Sequence, residues 1–160
     1  MAERTPPLFL VCPKRPQARH RPVSQTNDSA PQLIELSRES IEAARDNVNL
    51  EHWRAAYNRL YYACFYAAKA LLEAHGYTAE THSGVKTLLS KHFIRSGTHF
   101  IRSGTIDPEL GAFYTDVMEA RLESDCDASF DPDPAQLRAW VPKAEAFIDR
   151  IVDLLDNPSS

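Results

Sequence analysis

Apolar side chains recur every third or fourth position from residue 31 onward, and this spacing predicts five amphipathic helices. We place them at about residues 31–47, 49–75, 83–96, 107–124 and 133–155. Because the connections between them are short, neighbouring helices should pack antiparallel to each other. The pattern therefore predicts an all-α domain, an antiparallel bundle of four long helices plus one shorter helix.

Residues suited to capping stand at several of the predicted helix ends. Asp107 and Asp133 are each followed by a proline, and an acidic cap before a first-turn proline is typical of a helix start. Ser29 and Asn49 are the expected caps of the first and second helices. Gly76 should end the second helix, because glycine adopts the left-handed conformation without strain.

The same spacing assigns faces to the first two helices. The inward side of the first helix is expected to carry Leu33, Leu36, Ile41 and Ala44. The core stripe of the second is expected to be Trp53, Ala56, Tyr57, Leu60, Cys64, Ala67, Ala68 and Leu71.

The other side of the second helix is also aromatic, and its members are Arg59, Tyr62, Tyr66, Ala70 and Glu73. A helix with aromatic residues opposite its core stripe is either buried on both sides or part of an interface. Two interpretations stay open: a packed bundle centre or dimer seam, and a surface on which a nucleotide or RNA base stacks. In either case Arg59 should lie over the ring of Tyr62, three residues on.

In the fourth helix, Arg121 falls in the middle of the apolar stripe. A buried arginine needs a partner, because an uncompensated charge in the interior costs several kcal/mol. Asp125, four residues on, is within reach. The sequence leaves two alternatives: Arg121 pairs locally with Asp125, or it faces a cleft between subunits.

Composition supports the helical prediction, since 20 Ala and 15 Leu outnumber 7 Val and 7 Ile among the 160 residues. The net charge of -4 is unevenly distributed. Residues 1–30 hold five basic and two acidic residues with five prolines, which predicts a flexible basic tail or an arm that touches RNA or a partner. Residues 31–155 form the predicted domain and residues 156–160 a C-terminal tail.

From residue 31 to the end, 13 basic and 20 acidic residues give a net charge of -7. An acidic domain is poorly suited to bind long stretches of phosphate backbone, so a local site or a basic protein partner is favoured. The longest uncharged, apolar run is the nine residues 60–68, against roughly 20 needed to cross a bilayer. With no cleavable leader pattern, we expect a cytoplasmic protein without membrane contact.

The three cysteines, Cys12, Cys64 and Cys126, are far apart and match neither a disulfide framework nor a zinc site. Motifs for phosphate-cradling loops, nucleophile elbows or paired-His metal sites are absent from the sequence. We therefore expect no metal and no cofactor. A heptapeptide at residues 92–98 is repeated at 99–105, and we expect Gly97 to end the third helix and the second copy to form a loop.

Four segments resemble HEPN-domain proteins: AAYNRLYYACFYAAKALL at residues 55–72, THSG at 81–84, DPELG at 107–111 and RLESDCD at 121–127. The resemblance covers about residues 31–155. It implies a bundle of four to five helices, a homodimer and, in prokaryotic relatives, a toxin-antitoxin pair with a minimal nucleotidyltransferase.

Many HEPN proteins are metal-independent ribonucleases in which an Arg is followed, after four to six residues, by a His. Such a pair could cleave RNA by general acid-base catalysis, with Arg stabilising the phosphorane. Arg121 occupies the place of that arginine, but Cys126 stands where the histidine would be. An imidazole that titrates near neutral pH is thus missing from this helix.

The leading interpretation is therefore a dimeric binding or accessory component of such a pair, which binds a nucleotidyltransferase and holds a nucleotide or RNA in the dimer cleft. The candidate binding or interface residues are Asn58, Arg59, Tyr62, Tyr66 and Cys126. The alternative is a ribonuclease toxin in which Arg121 acts with Asp125 and a tyrosine of the second helix. A third interpretation is a purely structural oligomerisation module. The leading interpretation predicts that the protein does not cleave RNA in EDTA.

Overall fold

The computed structural model describes residues 29–94 and 106–157, which form five helices. Their bounds are α1 Ser29–Asn49, α2 Trp53–Ala74, α3 His82–His92, α4 Pro108–Cys126 and α5 Pro134–Asp156. Within these described ranges there is no strand, only a bridge between Ile94 and Ile106. The all-α prediction is confirmed. The predictions for the basic N-terminal segment and for the second heptapeptide copy lie outside the described residues.

Helix α2 is the centre of the bundle and packs against each of the other four helices. Its predicted core stripe is buried from Ala56 to Leu71, Cys64 included, while Trp53 is only partly buried. Small residues extend the burial to the α1 side, where Ala63 and Ala70 are fully covered. Alanines at such positions let helices approach closely, so α2 can be enclosed on nearly all sides.

The predicted inward face of α1 is partly wrong. Leu36 is 41% exposed, and the buried stripe is instead Ile34, Ser37, Ser40, Ile41, Ala44 and Val48. Serine can lie on this stripe because the hydroxyl of Ser37 donates a hydrogen bond of 2.7 Å to the carbonyl oxygen of Ala63 in α2. The satisfied hydroxyl removes the usual cost of burying a polar group.

The predicted start of α2 is also wrong. Asn49 is the last residue of α1 rather than a cap of α2. The chain reverses direction through Glu51, which has a φ of 60°. The backbone amide of His52 donates a hydrogen bond of 2.8 Å to the carbonyl of Asn47. Residues 50–52, which the periodicity assigns to the second helix, form this turn, so α2 begins at Trp53.

Two further predicted ends are wrong. Helix α3 ends at His92, with Phe93 as its C-cap, before the expected end at residue 96. Ser29 is the first residue of α1 rather than its cap, and its hydroxyl donates to Glu73.

The other predicted ends agree better with the structure. The Asp107 carboxylate accepts from the amide of Glu109 at 2.8 Å, and that of Asp133 accepts from Ala135 at 2.9 Å. Gly76 follows α2 with a φ of 79°, as expected. Helix α3 begins one residue earlier than predicted, because Thr81 caps it by accepting from Gly84 at 3.0 Å.

The start of α2 is fastened to the connection between α4 and α5. The guanidinium of Arg54 donates hydrogen bonds to four carbonyl oxygens, those of Ser124, Asp127, Ala128 and Phe130. One of these bonds satisfies the Ser124 carbonyl, in the last turn of α4, where helical partners run out, and the other three satisfy carbonyls of the connection. They also fix the last turn of α4, which carries the candidate site, against α2.

None of the five helices in the described ranges has the length and apolarity that a bilayer crossing requires.

Candidate functional site

Arg121 lies against two tyrosine rings of α2. Its guanidinium carbon is 5.6 Å from the ring centroid of Tyr61 and 5.7 Å from that of Tyr62. The predicted pair of Arg59 with Tyr62 is therefore wrong: the cation over this ring comes from α4, and Arg59 is exposed. A neighbouring helix can lay its side chain across a ring, whereas Arg59 leaves α2 in a direction that leads to solvent.

Asp125 is the ionic partner that the sequence predicts for Arg121. Its Oδ2 lies 2.8 Å from Nε of Arg121, and the side-chain Nδ2 of Asn58 donates to the same oxygen at 3.5 Å. The Nε–H bond is not aligned with an acceptor, so the contact is ionic without being a good hydrogen bond. The guanidinium is thus held by one carboxylate and two ring faces, with its side chain only 20% exposed.

A histidine of α3 completes the cluster. Nδ1 of His82 is 2.6 Å from the hydroxyl oxygen of Tyr61, and its ring centroid lies 4.6 Å from that of Phe65. Burial, with the positive charges of Arg121 and Lys69, lowers the pKa of His82 below its ordinary 6.5. Sequence reasoning did not assign His82 a role, although it lies in the THSG segment that carries the family resemblance.

Two phenols lie beneath this cluster. Burial raises the pKa of Tyr61 to about 12, and its interaction with the Tyr114 hydroxyl and the charge of Arg121 only partly oppose the rise. Tyr114 is almost wholly buried, and burial with the neighbouring Tyr61 also raises its pKa. Both phenols therefore stay protonated at neutral pH and act as neutral polar groups rather than as bases.

Along α2 the rings continue outward as an aromatic surface, which we define by Tyr62, Phe65 and Tyr66. Tyr62 and Tyr66 have centroids 5.7 Å apart, and Phe65 and Tyr66 are 5.6 Å apart. All three are half-buried in the single chain. Lys69 stands at the end of this surface and pairs with Glu73 at 3.6 Å.

The structure thus brings five of the sequence-predicted site residues into one region, namely Asn58, Tyr62, Tyr66, Arg121 and Asp125. It places Arg59 and Cys126 in exposed positions. It adds Tyr61, which neither predicted face of the second helix included, and His82, which had no predicted role. The contact of His82 with Tyr61 depends on how α3 docks on α2, and no local pattern in the chain encodes that docking.

A separate cavity of about 340 Å³ opens on another side of α4. Its floor is aromatic, with Tyr57, Phe130 and Trp140, and its rim is acidic. The acidic residues are Asp116, Glu119, Glu123, Asp131 and Asp133. Within the described part of the chain, no group of three or more His, Cys, Asp or Glu is arranged to hold a metal ion. This cavity would repel an anionic ligand, so the cluster at Arg121 is the candidate for one.

Comparison with known proteins agrees with the resemblance noted in the sequence. The HEPN domain model matches residues 30–155. A UPF0332 protein of Thermotoga maritima is 32% identical over 121 residues, which cover 76% of this chain and 86% of that protein.

Two proteins of Methanocaldococcus jannaschii, each named "Putative toxin", are 29% and 30% identical to this chain. The matched segments cover 74% of this chain in both cases, and 76% and 83% of those proteins.

Proposed function

The chain belongs to the HEPN domain family, and from this premise we propose that it is the HEPN component of a toxin-antitoxin pair whose Arg121 site binds a nucleotide or single-stranded RNA. Relatives from Methanocaldococcus jannaschii that bear the name toxin support the first part of the proposal. The contacts of Arg121 support the second.

The observation that carries the binding proposal is the position of the Arg121 guanidinium over Tyr61 and Tyr62. A guanidinium recognises phosphate oxygens through planar, paired N–H donors. The half-buried ring of Tyr62 beside it offers stacking surface to a base, whereas Tyr61 is fully buried; a stacked base contributes about 1–3 kcal/mol. One cation with adjacent rings suits a short, single-stranded ligand better than a duplex.

Charge distribution supports a local site of this kind. Residues 31–160 carry a net charge of -7, and an acidic surface weakens nonspecific binding along a phosphate backbone. Arg121 and Lys69 both act electrostatically on His82. Because Asp125 and Glu73 pair with these two cations, a bound phosphate would compete with two carboxylates for them. We therefore expect affinity for nucleic acid to reside in this cluster rather than across the domain.

Binding of fluorescein-labelled single-stranded RNA, followed by fluorescence anisotropy, tests this proposal. Arg121→Ala should weaken binding about tenfold or more, since a hydrogen bond to a charged group contributes about 1.5–3 kcal/mol. The matched control is Arg138→Ala, because the Arg138 guanidinium also lies over a ring, 5.4 Å from the centroid of Trp53. Absence of binding by the unaltered protein, or equal loss in both variants, would overturn the proposal.

We further propose that the aromatic surface, Tyr62, Phe65 and Tyr66, is covered by a second copy of the chain. Three adjoining rings that remain half-buried in the single chain are typical of the apolar centre of an interface. The Arg121 site lies at the edge of this surface, so it would face the cleft between copies.

Light scattering tests the dimer. Tyr62→Glu combined with Tyr66→Glu should yield a monomer, and an unchanged dimer would exclude this surface as the interface. The proposed nucleotidyltransferase partner is tested by co-purification with the product of an adjoining small nucleotidyltransferase gene.

A further inference from the structure

The cavity beside α4 combines two features that attract a cation. Five carboxylates stand around its rim, and three aromatic rings form its floor. Carboxylates attract a positive charge directly, and aromatic faces attract it through the ring quadrupole. The volume of about 340 Å³ lies at the small end of the range for ligand pockets, roughly 300–1,000 Å³. The lining therefore suits a small, positively charged ligand.

Most of the rim charge is uncompensated within the chain. None of the ion pairs within residues 29–94 and 106–157 includes a carboxylate of this rim. One rim residue, Asp133, has a structural task, because its carboxylate accepts from the amides of Ala135 and Gln136 and so caps α5. The other four are exposed, namely Asp116, Glu119, Glu123 and Asp131. These four carboxylates are available to a ligand.

The floor is held in a fixed orientation. Trp140 stands nearly perpendicular to Tyr57 and to Phe113, with an interplanar angle of 88° to each. The Tyr57 hydroxyl donates a hydrogen bond of 2.7 Å to Oε1 of Gln136. Tyr57 is fully buried, whereas Trp140 and Phe130 are partly exposed, so these two rings would contact a ligand. A surface that is already ordered loses little entropy on binding.

One ring of the floor already accepts a cation from the chain itself. The guanidinium carbon of Arg54 lies 5.5 Å from the centroid of Phe130. This guanidinium also donates to four backbone carbonyls, so it is committed to the fold. Its single charge offsets only part of the charge of five carboxylates, and the cavity stays negative.

We propose that this cavity binds a linear polyamine, an alkyl chain that carries several ammonium groups. The carboxylates are spread around the rim, and no group of three or more His, Cys, Asp or Glu in the described ranges could hold a metal ion. Separated carboxylates can each pair with a separate ammonium group, whereas a ligand with one ammonium would leave most of them unpaired. The methylenes between the ammonium groups would lie on the rings of Trp140 and Phe130.

Calorimetric titration of the full chain with spermidine, at low ionic strength, tests the proposal. We expect saturable binding to one site. Glu119→Gln combined with Glu123→Gln should weaken it about fivefold or more, since two ion pairs are lost. The matched control is Glu35→Gln combined with Glu39→Gln, which removes the same charge at the same spacing from exposed positions of α1. This control should change the affinity by less than about twofold, because α1 and α4 are not in contact in the described structure.

Tryptophan fluorescence locates the bound ligand. The chain has two tryptophans, Trp53 and Trp140, of which Trp140 lines the cavity. In Trp53→Phe, spermidine should change the emission of Trp140 with the same midpoint as the calorimetric titration. In Trp140→Phe, the emission of Trp53 should stay constant. A change in Trp53 emission without a change in Trp140 emission would overturn the proposed location.

Hexaamminecobalt(III) separates a polyamine site from a general attraction of cations to an acidic domain. It carries the same charge as spermidine but has no alkyl chain to lie on the rings, so it should bind about threefold or more weakly. Equal affinity for the two cations, equal weakening in both double variants, or no saturable binding would overturn the proposal. No residue of the Arg121 site lines this cavity, so each of these outcomes leaves the proposed RNA binding intact.

Discussion

Arg54, in the first turn of α2, donates a hydrogen bond of 2.6 Å to the carbonyl oxygen of Ser124, in the last turn of α4. Three further carbonyls of the α4–α5 connection accept from the same guanidinium, which also lies 5.5 Å from the ring of Phe130. Arg121 and Asp125 are on this last part of α4. Their position over α2 therefore depends on a contact made about two helical turns away from Tyr61 and Tyr62, the rings under Arg121.

Arg54→Ala should destabilise the domain by about 1.5–3 kcal/mol, because carbonyls at the end of α4 lose a charged donor. Urea unfolding followed by circular dichroism measures the change. Arg59→Ala is the matched control, since Arg59 is exposed on the same helix, and it should change stability by no more than about 0.5 kcal/mol. Equal effects of the two substitutions would contradict a fastening role for Arg54.

Asp125→Asn should strengthen RNA binding about threefold or more, because the Arg121 guanidinium would no longer be shared with a carboxylate at 2.8 Å. Anisotropy at fixed ionic strength measures the affinity. The substitution should also cost about 1 kcal/mol of stability, since the Arg121 side chain is only 20% exposed and loses its ionic partner.

The control for this substitution is Glu123→Gln, which removes one negative charge from the same turn but does not touch the Arg121 pair. If Glu123→Gln raises the affinity as much as Asp125→Asn, the gain reflects net charge alone and the specific pairing argument fails.

Gly76→Ala should destabilise the domain by about 1–2 kcal/mol, because residue 76 has a φ of 79° and only glycine adopts it without strain. An added Cβ would meet no atom within 4 Å, so crowding contributes nothing to the cost. Gly76→Asn should cost less, since asparagine tolerates the left-handed region. Thermal or urea unfolding distinguishes the two, and equal losses would show that backbone strain is not the cause.

Stability should fall on the acid side partly through His82. Its folded-state pKa lies below the ordinary 6.5, so the unfolded chain binds this proton more readily. The contribution of His82 is complete above pH 6.5 and is lost as the pH falls through the folded-state pKa.

His82→Gln should therefore show a shallower loss of stability than the unaltered protein below pH 6.5. Unfolding free energies from pH 5 to pH 8 would measure the difference. A steeper loss in the variant would mean that the folded state favours the charged imidazole.

Much of the fold could be predicted from local chemistry in the sequence. Asp107 and Asp133 were predicted as caps because a side-chain oxygen, a proline and the first turn lie within a few residues of one another. The prediction that Asn49 caps α2 was wrong because the chain reversal at Glu51 has no strong sequence signature. The prediction that Leu36 faces inward was wrong because packing against α2 determines which face of α1 is buried. On that face Ser37 donates a hydrogen bond to the carbonyl of Ala63.

The candidate site was predictable only in part for the same reason. Arg121 and Asp125 lie on one helix at a spacing of four, so their ion pair follows from periodicity. His82 reaches Tyr61 through the docking of α3 on α2, a contact between distant residues. Periodicity alone cannot place such a contact, so the sequence did not assign His82 to the cluster.

The acidic rim of the cavity makes one side of α4 negatively charged, whereas Arg121 places a positive charge on the other side. Glu119 and Glu123 each stand two positions from Arg121, which on a helix places them on nearly the opposite side. An approaching anion would be turned away from one side of α4 and drawn to the other, so the molecule would orient its ligand before contact. At physiological ionic strength the screening length is about 8 Å, so this steering would act only over the last step of the encounter.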